Sequence, residues 1–320
     1  MPDDTRSRGI VLLTGATGFV GRRLQTLLLD NDYAVRALVR HESPRAENID
    51  PRAERIEGAL DEPQALARGL VGTKAVINCA GAVRGNAAAD FADVNVDGVR
   101  ALAKAIERLS APPALLHMSS LAASHPELSD YAGSKKAGEQ VLEDFPELLW
   151  TVLRPPAIYG PGDVEMRPLL NLVRRGLVIV PGGNRQQRLS LLHVDDLANA
   201  VLAWLQAPAR YRQYRYEIDD GHKLGYDWSE ITEAVCTEPM FSRPLYLSIP
   251  GGLLNVCGKI NEQVARLTRR KPMLTTGKAR ELTQPEWLCD NAPFSKTSGW
   301  TPAISLAEGV AALYEKDASA

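Results

Sequence analysis

Apolar runs and helical repeats take turns through the first half of the chain. Gly9 to Thr14 is a short apolar run of the kind that forms a strand buried on both faces. A glycine-rich loop follows, and Val20 to Asp30 then carries Leu24, Leu27 and Leu28 at helical spacing. Asn31-Asp32 turns the chain into a second strand, Tyr33 to Val39. A third short strand around Arg55 to Glu57 leads to a helix near Pro63 to Leu70. Lys74 to Asn78 is a fourth strand, Asp90 to Leu109 a long helix, and Ala114 to Met118 a fifth strand ending at Ser119-Ser120. A helix bearing Tyr131 and Lys135 comes next, and Leu149 to Arg154 is a sixth strand. This alternation implies right-handed βαβ crossovers and an α/β fold, a doubly wound parallel sheet covered on both faces.

Beyond Arg154-Pro-Pro-Ala-Ile-Tyr-Gly-Pro-Gly162 the rhythm breaks: prolines and glycines cluster, and apolar segments come in irregular lengths. Ser190 to Val194 and Tyr216 to Ile218 can still add strands to the sheet. The expected organisation is a larger unit over 1–162, extended by 190–222, and a smaller C-terminal substrate-binding domain from 163–189 and 223–320. The smaller part would close over the carboxyl ends of the strands, where open α/β sheets bind their ligands.

Composition narrows the function classes. The 320 residues are 45% hydrophobic and 24% charged, which suits a globular protein of one large domain or two. A net charge of −2 supplies no long-range field for nucleic acid or an anionic surface. Cys79, Cys236, Cys257 and Cys289 are scattered without a Cys-x-x-Cys pair, so reduced thiols in the cytoplasm are expected, and the five histidines suggest no metal site. The N-terminal apolar run is interrupted by Gly15, Gly18 and Gly21, unlike a signal peptide or a membrane span.

Those three glycines sit in Thr14-Gly-Ala-Thr-Gly-Phe-Val-Gly21, between a strand and a helix. One permits a tight turn, the next lets backbone approach a pyrophosphate, and the last lets helix pack on strand. The helix start supplies NH groups and the positive end of a dipole. Gly15, Thr17, Gly18, Phe19, Val20 and Gly21 are therefore the expected phosphate-binding residues of a Rossmann-type NAD(P) domain. At the end of the second strand an acidic residue would hold a ribose 2′-hydroxyl, whereas arginine accommodates a 2′-phosphate. The chain has Arg40 there, so NADP(H) is expected, with NAD(H) the alternative.

Tyr131 and Lys135 lie four residues apart in Ser129-Asp-Tyr-Ala-Gly-Ser-Lys-Lys136, on one face of a helix. A free phenol has a pKa of about 10, and a neighbouring ammonium is expected to lower it towards the working range. On its own this spacing recurs by chance; beside the glycine loop it reads as an acid–base unit.

With the glycine loop, Ser119-Ser120 and Tyr131/Lys135 in this order, the chain resembles the short-chain dehydrogenase/reductase family. It is most similar to the extended branch of epimerases, dehydratases and hydroxysteroid-dehydrogenase-type enzymes. Gly58-Ala-Leu-Asp61, Asn78-Cys-Ala-Gly81, Asn95-Val-Asp-Gly98, Leu153-Arg-Pro-Pro-Ala-Ile-Tyr-Gly-Pro-Gly162 and Leu192-His-Val-Asp-Asp-Leu197 carry the likeness along nearly the whole chain. The resemblance implies Tyr131 as acid/base and Lys135 as the residue that holds the nicotinamide ribose. It implies Ser120 on the reacting oxygen, with Ser119 the runner-up. Ala80 and Gly81 would run along the cofactor, Asn95 would support the site, and Pro156 would lie near the nicotinamide. His193, Asp195 and Asp196 would form a structural turn. Relatives commonly dimerise through the two helices flanking this site, so a homodimer is expected.

Three departures shape the expectation. Ala59 stands where the family often has an aspartate near the adenine, leaving that contact to backbone near Leu60. Only eleven positions separate Ser120 from Tyr131, fewer than in many sugar-nucleotide enzymes. Leu121-Ala122 replaces the acidic pair typical of the dehydratases, which disfavours elimination chemistry. Hydride transfer at a secondary alcohol or carbonyl is the favoured reading, a sugar-nucleotide epimerase the next, and a non-catalytic NADP(H)-binding assembly or sensor protein a reading of another class. A sugar nucleotide would call on Arg167, Arg174, Arg185 and Arg188, whereas Phe241, Leu245, Tyr246, Leu247, Leu253 and Leu254 suit a less polar small-molecule substrate. Leu253, Val256, Cys257, Ile260, Val264 and Leu267 also recur at helical spacing ahead of Arg269-Arg-Lys271. Such a helix can lie on a membrane surface, but packing on its own domain is the expected outcome. Tyr211-Arg-Gln-Tyr-Arg-Tyr216 lacks a wider basic face and reads as a loop entering a strand, with no nucleic acid.

Overall fold

The predicted strands and helices form with ends shifted by about a residue. The computed structural model of the chain describes residues 8–236, 244–268, 272 and 274–318. Phe241 and Arg269–Lys271 lie outside them. The first half runs β1 (Ile10–Thr14), α1 (Phe19–Asp30), β2 (Ala34–Val39), β3 (Glu54–Glu57), α2 (Pro63–Leu70) and β4 (Thr73–Asn78). It continues with α3 (Ala88–Ala92), a π-helical turn (Asp93–Asp97), α4 (Gly98–Glu107), β5 (Ala114–Met118), α5 (Asp130–Val141) and β6 (Trp150–Arg154). The second half runs β7 (Ala157–Tyr159), α6 (Arg167–Arg174), β8 (Leu177–Pro181), β9 (Arg188–Leu189), β10 (Leu191–His193), α7 (Val194–Gln206) and β11 (Tyr214–Glu217). It ends with α8 (Trp228–Val235), β12 (Leu245–Ile249), α9 (Gly251–Thr268), α10 (Thr276–Thr283), β13 (Glu286–Trp287), α11 (Ala292–Ser298) and α12 (Leu306–Ala318).

Seven parallel strands make the central sheet in the order β3-β2-β1-β4-β5-β6-β11. The chain travels outward from β1 one way and then the other, so a crevice opens at the carboxyl edge between β1 and β4. One face of the sheet is covered by Leu24 and Leu28 of α1 and Leu197, Val201 and Trp204 of α7. Leu66 and Leu70 of α2, with Val99, Leu102 and Ile106 of α4, cover the other. A separate core joins α6, α8, β8 and α12 through Val173, Val178, Val180, Ile231 and Val310.

Two expectations about the second half need correction. Tyr214–Glu217 does join the sheet, beside β6, but Leu191–His193 pairs with β7 outside it. Pro155 and Pro156 end β6: neither can donate to a ladder, so the chain bends away and β7 takes a new partner. The stripe on α9 does not pack on its own domain. Leu254, Gly258 and Ala265 are the buried positions, while Leu253, Val256, Ile260, Val264 and Leu267 are each at least 51% exposed. Small residues allow α9 to sit close on α10, and the helix takes that face inward. In the tail, Phe294 and Trp300 pack into the core beneath the large sheet.

Candidate active site

The loop from Thr14 to Gly21 joins the end of β1 to the start of α1. Gly15 has φ +67°, and a Cβ there would lie 2.5 Å from the Cys79 carbonyl carbon, so only glycine lets this turn meet the end of β4. Gly18 is the N-cap of α1; no side chain caps this end, and its first turn holds no carboxylate. The NH groups of Thr17, Phe19 and Val20 thus surround a helix end suited to phosphate, while the Gly18 NH closes the loop on the Gly15 carbonyl (3.0 Å) and Gly21 is buried one turn in. Thr14 ties the two strand ends together: its hydroxyl donates to Asn78 Oδ1 (2.5 Å) and accepts from the Ala80 NH (3.2 Å). Arg40 is exposed at the end of β2. Ala59 and Leu60 follow β3, and the Ala59 NH donates to Glu62 Oε1 (3.1 Å), so Glu62 already engages the backbone where the aspartate is missing.

α5 begins at an N-cap, Ser129, whose hydroxyl accepts from the Ala132 NH (3.0 Å). Lys135 is 5% exposed, and its ammonium donates to the Met118 carbonyl at the end of β5 (2.7 Å). The same ammonium lies near Gly81: a Cβ built there would sit 3.7 Å from Nζ and 3.4 Å from Asn95 Oδ1. Asn95 occupies the π-helical turn, an irregularity often found at functional sites. Its Nδ2 donates to the Ala82 carbonyl (3.0 Å) and Ser134 Oγ (2.8 Å), and its Oδ1 accepts from the Ala82 NH (2.8 Å). This clamp holds the Ala80–Ala82 loop against α5. Gly138 permits the close approach, since a Cβ there would be 2.1 Å from the Asn95 carbonyl oxygen.

The two serines part company. Ser119 is buried, and its hydroxyl donates to Glu139 Oε1 (2.6 Å). Ser120 is only half-buried; its hydroxyl lies on the Tyr131 side, where it pulls the phenol's pKa down, and it accepts from the Ala122 NH (3.2 Å). Pro156 lies two residues beyond β6, half-buried. The Tyr131 ring stands 6.2 Å from that of Phe91, and burial pushes the phenol up to about 12, against the pull of Ser120 and with a further push from Glu281. The expected lowering by Lys135 is therefore not the governing effect. Desolvation wins, and it also brings Lys135 down to about 8, against Cys79 and Glu139. Burial likewise holds the Cys79 thiol up at about 12 and leaves His117 uncharged.

Sequence reasoning missed two carboxylates here. Glu139 is fully buried and receives Arg154 twice (2.8 and 2.6 Å), with Arg215 Nε 3.2 Å from Oε2. Glu281 of α10 receives the hydroxyl of Ser129, and Arg280 Nε donates to the Leu128 carbonyl (2.7 Å). His193, Asp195 and Asp196 build structure: His193 caps α7, Asp195 pairs with Arg23, and buried Asp196 accepts from the Ala303 and Ile304 NH groups.

The sequence profile of the NAD dependent epimerase/dehydratase family matches residues 11–218. The chain is 35% identical over 293 residues to a ceramide reductase of Caulobacter vibrioides, covering 91% of this chain and 90% of that one. It is 27% identical over 340 residues to a 2-alkyl-3-oxoalkanoate reductase of Stenotrophomonas maltophilia, covering 97% and 99%. In fold it resembles the UDP-glucuronic acid 4-epimerase of Bacillus cereus, solved with UDP-glucuronic acid and NAD, with a TM-score of 0.72, 17% identity and coverage of 97% and 99%. The matched span runs from the first strand of the sheet to just past its last, and with it the chain belongs to the NAD-dependent epimerase/dehydratase family, in the extended branch of the short-chain dehydrogenases/reductases.

Proposed function

We propose that the protein reduces a ketone on a lipid-like substrate, or oxidises the matching secondary alcohol, with NADP(H). When bound, the nicotinamide supplies or accepts the hydride. Tyr131 gives its proton to the carbonyl oxygen during reduction, and Ser120 hydrogen-bonds the same oxygen. A phenol held at about 12 is a donor throughout the neutral range, and Lys135 below about 8 is charged and placed to hold ribose hydroxyls. Gly15, Thr17, Gly18, Phe19, Val20 and Gly21 would hold the phosphates, Arg40 the 2′-phosphate, Ala59 and Leu60 the adenine side, and Ala80, Gly81 and Pro156 the nicotinamide half. Asn95 acts through the loop it clamps. The observation that carries this reading is the convergence at the carboxyl edge of β5: Ser120 on the Tyr131 side, and one helical turn on the buried Lys135 ammonium, bonded to Met118 and facing Gly81 with Asn95.

The substrate class rests on two supports. Two relatives are named for reducing ceramide and a 2-alkyl-3-oxoalkanoate. Of the arginines a nucleotide diphosphate would need, Arg174 stacks on Tyr314 (4.2 Å), Arg185 on Tyr246 (4.4 Å), and Arg188 pairs with Glu230 (2.7 Å). Single-turnover NADPH fluorescence with long-chain ketones tests the reading, with Tyr131→Phe as control. The variant should bind NADPH and lose turnover by at least about a hundredfold. Equal behaviour of the two proteins would support a non-catalytic NADP(H) binder instead, and purified protein carrying tightly held nucleotide without net redox would support an epimerase. We further propose a cytoplasmic homodimer joined through α4 and α5, for which mass photometry should give twice the chain mass.

A further inference from the structure

Among the described residues, α9 leaves an apolar stripe open to solvent. At about 100° per residue, Leu253, Val256, Ile260, Val264 and Leu267 fall within an arc of about 80°. Their exposures are 53, 53, 57, 51 and 86%. Soluble proteins usually scatter exposed apolar side chains singly, and a contiguous band marks an interaction site. Charge along the helix is sorted as well. Lys259 and Arg266 are exposed and flank the band on one side. Glu262, the helix's one carboxylate, turns to α10 instead, where it accepts from the Thr276 NH and hydroxyl (2.7 and 2.9 Å). The outward surface of α9 therefore carries apolar groups and cations and no anion.

We propose that α9 docks the protein on an anionic bilayer, lying in the headgroup region with this band turned to the acyl chains. The distribution matches an interfacial helix, in which apolar burial and attraction to acidic headgroups add. A second copy of the chain is a poorer occupant. A stable dimer engages about 20–30 residues a side, against five large side chains here, and no exposed carboxylate on α9 would meet the partner's Lys259 and Arg266. The docked helix is built into the site. Gly258 lets α9 press on α10, since a Cβ there would lie 2.8 Å from the Thr275 carbonyl carbon. α10 in turn grips Leu128 and Ser129 through Arg280 and Glu281, and Ser129 caps the helix that carries Tyr131. A bilayer under α9 would thus hold the source of a lipid substrate beside the catalytic helix. That last step rests on the substrate class proposed above; the docking itself does not.

Flotation of the 320-residue protein with vesicles tests it, comparing pure phosphatidylcholine with an equal mixture of phosphatidylcholine and phosphatidylglycerol. The wild type should float with the mixed vesicles and much less with the neutral ones. Ile260→Glu with Val264→Glu should lower the floated fraction at least about tenfold, and Lys259→Glu with Arg266→Glu should abolish the preference for phosphatidylglycerol. All should keep NADPH binding, which shows that they fold. A wild type that stays at the bottom with both vesicles, or an Ile260→Glu/Val264→Glu protein that floats as well as it, overturns the proposal. So does a dimer that this variant dissolves in the absence of flotation. Flotation without any ketone reduction would sink the substrate reading and leave the docking intact, and reduction without flotation would do the reverse.

Discussion

Ser119→Ala and Ser120→Ala should fail in opposite ways, although the residues are adjacent. Ser119 is 5% exposed and its hydroxyl donates to a fully buried carboxylate, Glu139. Hydrogen bonds to charged groups are worth about 1.5–3 kcal/mol, so the alanine should lower unfolding stability by about that much. The two bonds from Arg154 to Glu139 remain, and the Ser120 hydroxyl stays on the Tyr131 side, so turnover should change by less than about threefold. Ser120 is half-buried, and its loss removes one cap of a short turn, about 1 kcal/mol. It also removes the hydroxyl beside Tyr131, and losing one donor at a developing oxyanion costs about a hundred- to a thousandfold in rate. Urea unfolding and kcat/KM with a long-chain ketone, measured on both variants, separate the effects. The reasoning fails if Ser119→Ala abolishes turnover at unchanged stability, because the hydroxyl bound to Glu139 would then be the one facing substrate.

Arg40→Asp should weaken NADPH by about tenfold or more and spare NADH, as a lost charge-assisted phosphate contact requires; fluorescence titration reporting equal NADPH affinity would point to NAD(H). Raising pH through about 8 should neutralise Lys135 and raise KM for NADPH while the Tyr131 proton stays in place, which a KM-against-pH profile would show. Lys135→Met should raise stability at neutral pH by up to about 3 kcal/mol while abolishing turnover. The sign follows from linkage: the folded lysine titrates near 8 and the unfolded one near 10.5, so unfolding takes up a proton in between and native stability rises with pH there. Thermal melts of the wild type on either side of that window check it.

What could be read from sequence was local. The glycine loop, the Tyr131/Lys135 turn and the end of each early strand are encoded within a few residues, and the structure brings them to one edge of the sheet. Glu139 could not be read this way. Four residues past Lys135 and three past Lys136 it resembles any solvated helix face, and it is buried only because Arg154 and Arg215, from β6 and β11, converge on it. Nor could spacing say which hydroxyl of Ser119-Ser120 faces Tyr131, since neighbours on a strand point opposite ways and only Glu139 decides. On α9 the period revealed a stripe but not its direction. The inward face was settled by Gly258 against Thr275, a contact between segments that carry no shared pattern.

Lys135 shows why the site reads as built for a ligand. An ammonium has three donors, and among the described residues one goes to the Met118 carbonyl. The buried carboxylate that acts on it, Glu139, is already matched by two arginines and a serine, so it offsets little of the desolvation. The lysine consequently drops to about 8, and the phenol one turn away rises to about 12 instead of falling. Neither shift suits a residue whose work is structural: methionine would fill the same space at lower free energy. Both become intelligible if hydroxyl acceptors arrive beside Gly81, where the ammonium and Asn95 already converge. Occupation by a dinucleotide should then raise the lysine's pKa, draw the charged form close to Tyr131, and lower the phenol towards the range in which it exchanges a proton.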